Sequence, residues 1–153
     1  MADFTIDHEI VIDAPAEVVW RTITEPEQIS RWFADRVTLD VRPGGHGSFV
    51  FEDRATTRPA TVPLVVEVVD PPRRFAFRWV HPEGTTPAPG NSVLVDMTLE
   101  AEGDERTRLR VTETGLADLP WPDDAKASYV DEHVHGWTVH LGRLADLMSA
   151  SAG

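Results

Sequence analysis

Cysteine is absent from the 153 residues, which removes a disulfide framework, a thiolate zinc site and a cysteine nucleophile together. Long apolar runs are missing too: no stretch approaches the roughly 20 residues of a membrane-spanning helix. The first ten residues, MADFTIDHEI, carry acids where a secretory leader needs a basic region and an apolar run, so a cytoplasmic protein is expected. Basic charge is scarce, 14 Lys and Arg against 26 Asp and Glu, for a net charge of -12 and a pI near 4.8. That balance opposes nucleic acid and anionic membranes as general partners, because affinity for either begins with phosphate neutralisation. There is no G-x-S-x-G elbow, and so no support for a serine nucleophile. No internal repeat, low-complexity segment or interdomain linker is evident.

What remains is an ordinary globular composition, 41% hydrophobic and 26% charged, long enough for one domain over 1–153 with a core and room for a cavity. The most strongly patterned stretch is 123–148. Tyr129, His133, Gly136, Trp137, His140, Leu141, Leu144 and Met148 recur at steps of three and four, which places them on one face of a long helix. Lys126, Asp131, Glu132, Arg143 and Asp146 form the expected solvated back. Pro122, Asp123 and Asp124 mark the start through a helix stop, capping oxygens and negative charge at the positive end of the dipole. Such a helix is about 40 Å long and requires a sheet to lie across.

The rest of the chain supplies that sheet. Phe4, Ile6, His8, Ile10 and Ile12 alternate with Thr5, Asp7, Glu9 and Val11 as in a half-buried strand. Two short helical pieces follow, one after Pro15 carrying Val18, Val19 and Trp20, the other over 27–32 with Ile29, Trp32 and Phe33 inward. From Val37 the pattern is strands and turns: 37–41, 47–52, 64–69, 75–79, 93–100, and a return strand around Leu109 and Val111 whose Arg106, Arg108 and Arg110 point outward. Residues 54–61, 81–91 and 116–122 read as loops. Strand runs with helices at both ends of the chain indicate an α+β fold with an antiparallel sheet.

Several of these marks recur together in one known family. Ala14-Pro15 with Val18 and Trp20, Thr24-Glu25-Pro26 with Trp32-Phe33, Arg42-Pro43-Gly44-Gly45 with Phe49, Asp70-Pro71-Pro72-Arg73-Arg74 with Phe77 and Trp79, and Gly136-Trp137 with Leu141 and Leu144 resemble the bacterial family named after the activator of the heat-shock-protein ATPase. That family is a branch of the START-like, SRPBCC superfamily, and the resemblance covers nearly the whole chain. It implies a helix-grip fold: a curved antiparallel sheet of about seven strands wrapped around the C-terminal helix, with a mostly apolar cavity between them. It does not imply one reaction, since fold alone is poor evidence for function.

The cavity-lining candidates are His8, Trp32, Phe49, Phe51, Phe77, Trp79, Val95, Met97, Tyr129, His133, Trp137, His140 and Leu141. An aromatic group of this kind fits a pocket for a small apolar or amphipathic molecule; ordinary core packing is the plain alternative. His133 and His140, two helical turns apart, could present hydrogen-bond or acid–base groups beside Tyr129, as in the cyclases, hydratases and hydrolases among START-like proteins, although single histidines on apolar faces are commonly structural. His8 shares parity with the inward isoleucines of its strand. No metal is expected, because His133, His135 and His140 cannot share a helical face, and no cofactor is called for. Gly44-Gly45-His46-Gly47 precedes a strand, so it is a hairpin turn and not a phosphate cradle. Glu52, Asp53 and Arg54 read as a solvated strand end or the rim of the cavity. Asp35, Arg36, Arg73 and Arg74 raise a protein-binding surface, with a chaperone as the partner the family name suggests; surface charges around turns explain them as well. Alternating strand edges also leave room for a homodimer without specifying one.

Overall fold

The computed structural model describes residues 4–51, 60–80, 85–88 and 90–152. Its elements follow in the order β1 (Ile6–Ile12), α1 (Ala16–Thr24), α2 (Pro26–Ile29), β2 (Arg36–Leu39), β3 (His46–Phe51), β4 (Ala60–Asp70), β5 (Arg74–Trp79), β6 (Val93–Ala101), β7 (Thr107–Thr114), a 3-10 turn (Leu116–Asp118) and α3 (Asp123–Ala152). The strands form one sheet in the order β1-β7-β6-β5-β4-β3-β2, and every pairing is antiparallel. The excursion through α1 and α2 lets the first strand close against the last, with Ile6 opposite Glu113 and Ile12 opposite Thr107. A register shift between Val66 and Val68 on β4 is the kind of bulge that bends a strand and increases twist, and the curved sheet holds α3 against its concave side.

Alternation decides which side chains face that helix. Phe75, Phe77 and Trp79 are buried along β5, Val93, Val95 and Met97 along β6, and Leu109 and Val111 along β7. On the outward side of β7, Arg108 bonds Glu9 and Arg110 bonds Asp7 across to β1, a solvated ladder of small individual worth. The Pro-Gly-Gly turn between β2 and β3 is sterically obligatory: a Cβ on Gly45 would sit 2.1 Å from the Asp40 carbonyl oxygen.

Element boundaries differ from the sequence pattern in instructive ways. β1 starts at Ile6 because Phe4 takes a left-handed φ of 50°. β4 begins at Ala60, so the end of the expected 54–61 loop is strand. Pro63 is tolerated there because it faces Ser48 on β3 while pairing to β5 begins only at Leu64, and no ladder bond needs its missing N–H. α2 is a single turn, yet Ile29, Trp32 and Phe33 are all buried.

In α3, Tyr129, Trp137, Leu141, Leu144 and Met148 are buried and His133, Gly136 and His140 half-buried. Lys126 is a correction. It is buried, not solvated, because its amine donates to the Ala117 carbonyl at 2.8 Å and lies 5.8 Å from the Phe4 ring centre, a cation–π contact that only the chain termini coming together can create.

Candidate functional site

Phe33 is the hub of the aromatic cluster, carried inward by the turn after α2. It stacks on Trp137 at 5.3 Å between ring centres and on Trp79 at 6.2 Å, and meets Phe49, Phe51 and His140 edge-on at 5.1, 5.4 and 4.9 Å. Beside it, between β3–β5 and the middle of α3, opens a pocket of about 390 Å³ lined by Phe33, Phe51, Val62, Trp79, Val80, Glu132, His133, Gly136, Trp137 and His140. Gly136 forms part of its wall, and a Cβ there would meet nothing within 4 Å.

Beneath the wall lies a buried carboxylate. Glu113, 1% exposed on β7, accepts hydrogen bonds from the Tyr129 hydroxyl at 2.5 Å and Trp79 Nε1 at 3.2 Å on Oε1, and from Trp137 Nε1 at 2.7 Å and His133 Nδ1 at 2.9 Å on Oε2. Indole N–H groups can only donate, so the cage fits an acceptor-only carboxylate. Tyr129 stacks on His133 at 3.7 Å. Burial first, then the charge of Glu113 and its hydrogen bond, push the phenol well above its ordinary pKa, so Tyr129 is a fixed donor here and no source of phenolate.

His140 is held differently. Its Nδ1 lies 3.3 Å from the Trp32 carbonyl oxygen, which can only accept, so Nδ1 carries the proton. Burial foremost, helped by the charge of Arg143 and opposed by the Trp32 carbonyl, holds its pKa below the ordinary histidine value.

Of the sequence candidates, Phe51, Trp79, His133, Trp137 and His140 line the pocket. The others do not. Trp32, Phe49, Phe77, Val95, Met97 and Leu141 belong to the packed core; Trp32 Nε1 bonds the Thr22 carbonyl at 2.9 Å, and only its own carbonyl reaches the site. Tyr129 serves the carboxylate from behind, and His8 is half-buried on β1 opposite Val111. Sequence reasoning missed Glu113, Phe33, Val62, Val80 and the rim residue Glu132. The signal for Glu113 was present: it shares strand parity with Leu109 and Val111. Of the loops expected to border the cavity, 116–122 contributes nothing to this pocket, while most of 54–61 and 81–84 lie outside the described residues, as do Glu52, Asp53 and Arg54. Arg74 is bound to Asp96 through both carboxylate oxygens at 2.8–3.2 Å. Among the described residues no three His, Asp or Glu side chains converge as a metal site would require, and no helix is long and apolar enough to cross a membrane.

Comparison with known proteins places this architecture. Residues 13–149 match the family described as Activator of Hsp90 ATPase homolog 1-like protein. The chain belongs to that family. No curated protein matches it. Among solved structures of this shape, protein NE0264 from Nitrosomonas europaea superposes with a TM-score of 0.80 at 19% identity over 99% of this chain and 98% of its own. The Aha1 dimer from Colwellia psychrerythraea gives 0.75 at 18% identity, with both chains fully covered. DynU16, a protein in the dynemicin biosynthetic locus, gives 0.76 at 25% identity over 98% of this chain and 49% of its own, so the chain spans about half of DynU16.

Proposed function

We propose that this protein is a single-domain binder of a small apolar or amphipathic molecule, which it holds in the pocket between β3–β5 and α3. Gly136 carries the proposal. A mid-helix glycine costs about 1 kcal/mol relative to alanine, and no neighbouring atom forbids a Cβ at this position, so packing gives no reason for it. An unobstructed pocket wall does. The aromatic lining with few polar groups is what small-molecule sites generally have, and the solved structure from a biosynthetic locus is consistent with small-molecule work in this fold.

The test is native mass spectrometry of the purified protein with small-molecule analysis of a denatured extract, repeated on Gly136→Leu. A bound molecule in the wild type, and an empty variant that melts at the same or higher temperature, is the expected result. A wild type that holds nothing and is stabilised by no member of a broad apolar library, or a variant that keeps its ligand, would overturn the proposal.

A second reading, acid–base catalysis at His133, is favoured by the Glu113 bond to its Nδ1, which orients the ring as carboxylates orient catalytic histidines. It predicts turnover of the bound molecule that His133→Ala abolishes and His140→Ala does not. Binding without turnover in the wild type decides against it.

A further inference from the structure

The polarity of the pocket is one-sided. Every side-chain N–H on the lining residues is directed away from the space they enclose: Trp79 Nε1, Trp137 Nε1 and His133 Nδ1 toward Glu113, and His140 Nδ1 toward the Trp32 carbonyl. The backbone N–H groups of α3 at this level are taken up within the helix. In each neutral imidazole the nitrogen left over is Nε2, a bare acceptor, and it lies on the ring edge opposite the anchored Nδ1. Among the described residues the remaining polar side chain of the lining is that of Glu132 at the rim, a carboxylate that only accepts. Among the described residues the pocket therefore offers aromatic faces and acceptors, and no side-chain donor.

We infer that the pocket selects planar, aromatic molecules whose polar groups are hydrogen-bond donors, hydroxyl foremost, and discriminates against the same skeleton bearing only acceptors. The juxtaposition of four N–H groups tied into the protein with two pocket-lining imidazoles, His133 and His140, whose Nδ1 is already engaged and whose remaining nitrogen is Nε2, is what decides it. A carbonyl or ether placed against these groups would meet lone pairs with no proton between them, leaving both partners unsatisfied. A phenolic hydroxyl against His140 Nε2 satisfies both, and the rings of Phe33, Trp79 and Trp137 supply faces for an aromatic skeleton. The depressed pKa of His140 supports this, since it keeps Nε2 unprotonated near neutral pH. The inference rests on the pocket being a ligand site, as proposed above.

The test compares 2-naphthol with 2-methoxynaphthalene by isothermal titration calorimetry at about pH 8, where an ordinary histidine is neutral. The two share a ring system and differ in the proton. Naphthol is expected to bind about tenfold more tightly, the ratio one satisfied hydrogen bond supports, and His140→Phe, which keeps a ring and removes the acceptor, should narrow that ratio. Equal binding, or preference for the ether, overturns donor selection and leaves the pocket standing. Binding of neither probe overturns the pocket assignment together with this inference. Tighter binding of 1-naphthylmethylammonium than of naphthol would overturn selection for a neutral hydroxyl and assign the aromatic box to organic cations. The comparison of probes in the wild type decides the question even if the variant fails to fold.

Discussion

Replacing Glu113 by glutamine changes no volume and should nonetheless be among the most damaging isosteric substitutions in the protein. Each carboxylate oxygen accepts from one indole, Trp79 on Oε1 and Trp137 on Oε2, and from one group able to reverse its role, the Tyr129 hydroxyl or His133 Nδ1. Whichever way the new amide turns, its NH2 faces one indole N–H that cannot accept. An unsatisfied buried donor costs about 1–3 kcal/mol, and the three surviving bonds lose their charge assistance, which roughly halves each. Removing a buried charge recovers some desolvation energy, but deleting one member of such a set still typically costs about 3–5 kcal/mol. The net expectation for Glu113→Gln is about 2–4 kcal/mol, or roughly 5–15 °C in melting temperature at this chain length. Glu113→Leu leaves all four donors unpaired and should approach the whole stability of a typical domain, about 5–15 kcal/mol. Tyr129→Phe removes a single bond to the carboxylate and should cost about 1.5–3 kcal/mol. Urea unfolding at pH 7 followed by tryptophan fluorescence reports all three. A glutamine variant within about 0.5 kcal/mol of wild type would show that the carboxylate cage does not hold helix to sheet.

Tyr129 is the only tyrosine and its pKa is raised by burial and by Glu113. The folded state keeps the proton that the unfolded chain releases above about pH 10, so stability should fall as pH rises through that range, and phenolate absorbance should appear only together with unfolding; a phenolate signal in the native protein would contradict the cage. His140 acts at the other end of the scale. Its folded pKa lies below the unfolded value near 6.5, so the unfolded chain binds the proton first as pH drops; its contribution is fully present above about pH 6.5 and is lost as pH falls through the folded value. Urea midpoints between about pH 7.5 and 5 should therefore slope less in His140→Phe than in wild type. Gly45→Ala places a Cβ 2.1 Å from the Asp40 carbonyl oxygen and should cost about 2–4 kcal/mol by forcing backbone to move, measured as a shift in urea midpoint; a neutral substitution would show that this turn is pliable.

Much of the scaffold was legible because side-chain periodicity is a local property. Phe75, Phe77 and Trp79 alternate, and so they share a face of β5; Trp137, Leu141, Leu144 and Met148 recur at helical steps, and so they share a face of α3. Asp70-Pro71-Pro72 cannot extend a ladder, and a turn stands there, closed by the Arg73 N–H to the Asp70 carbonyl at 2.7 Å. Where the pattern misled, a neighbour distant in sequence had intervened. The strand expected over 64–69 starts at Ala60 and runs through Pro63, because β5 ends opposite Leu64 and no partner there needs the missing N–H. Lys126 resembles a solvated residue until Ala117 and Phe4 close around it.

The site divides along the same line. That the chain is α+β, with an antiparallel sheet and a long helix bearing a histidine-carrying aromatic face, was determined by residue order and spacing alone, because hydrophobic patterning acts between residues a few positions apart. Which of those aromatics line a pocket and which merely fill the core was decided by the tertiary structure. So was the pairing of Glu113 with Tyr129, His133, Trp137 and Trp79, residues 16, 20, 24 and 34 positions away. A buried carboxylate reads in sequence like any other strand glutamate; only the sheet's closure over the helix brings four donors to it, the Tyr129 hydroxyl, the Trp79 and Trp137 indoles and His133 Nδ1.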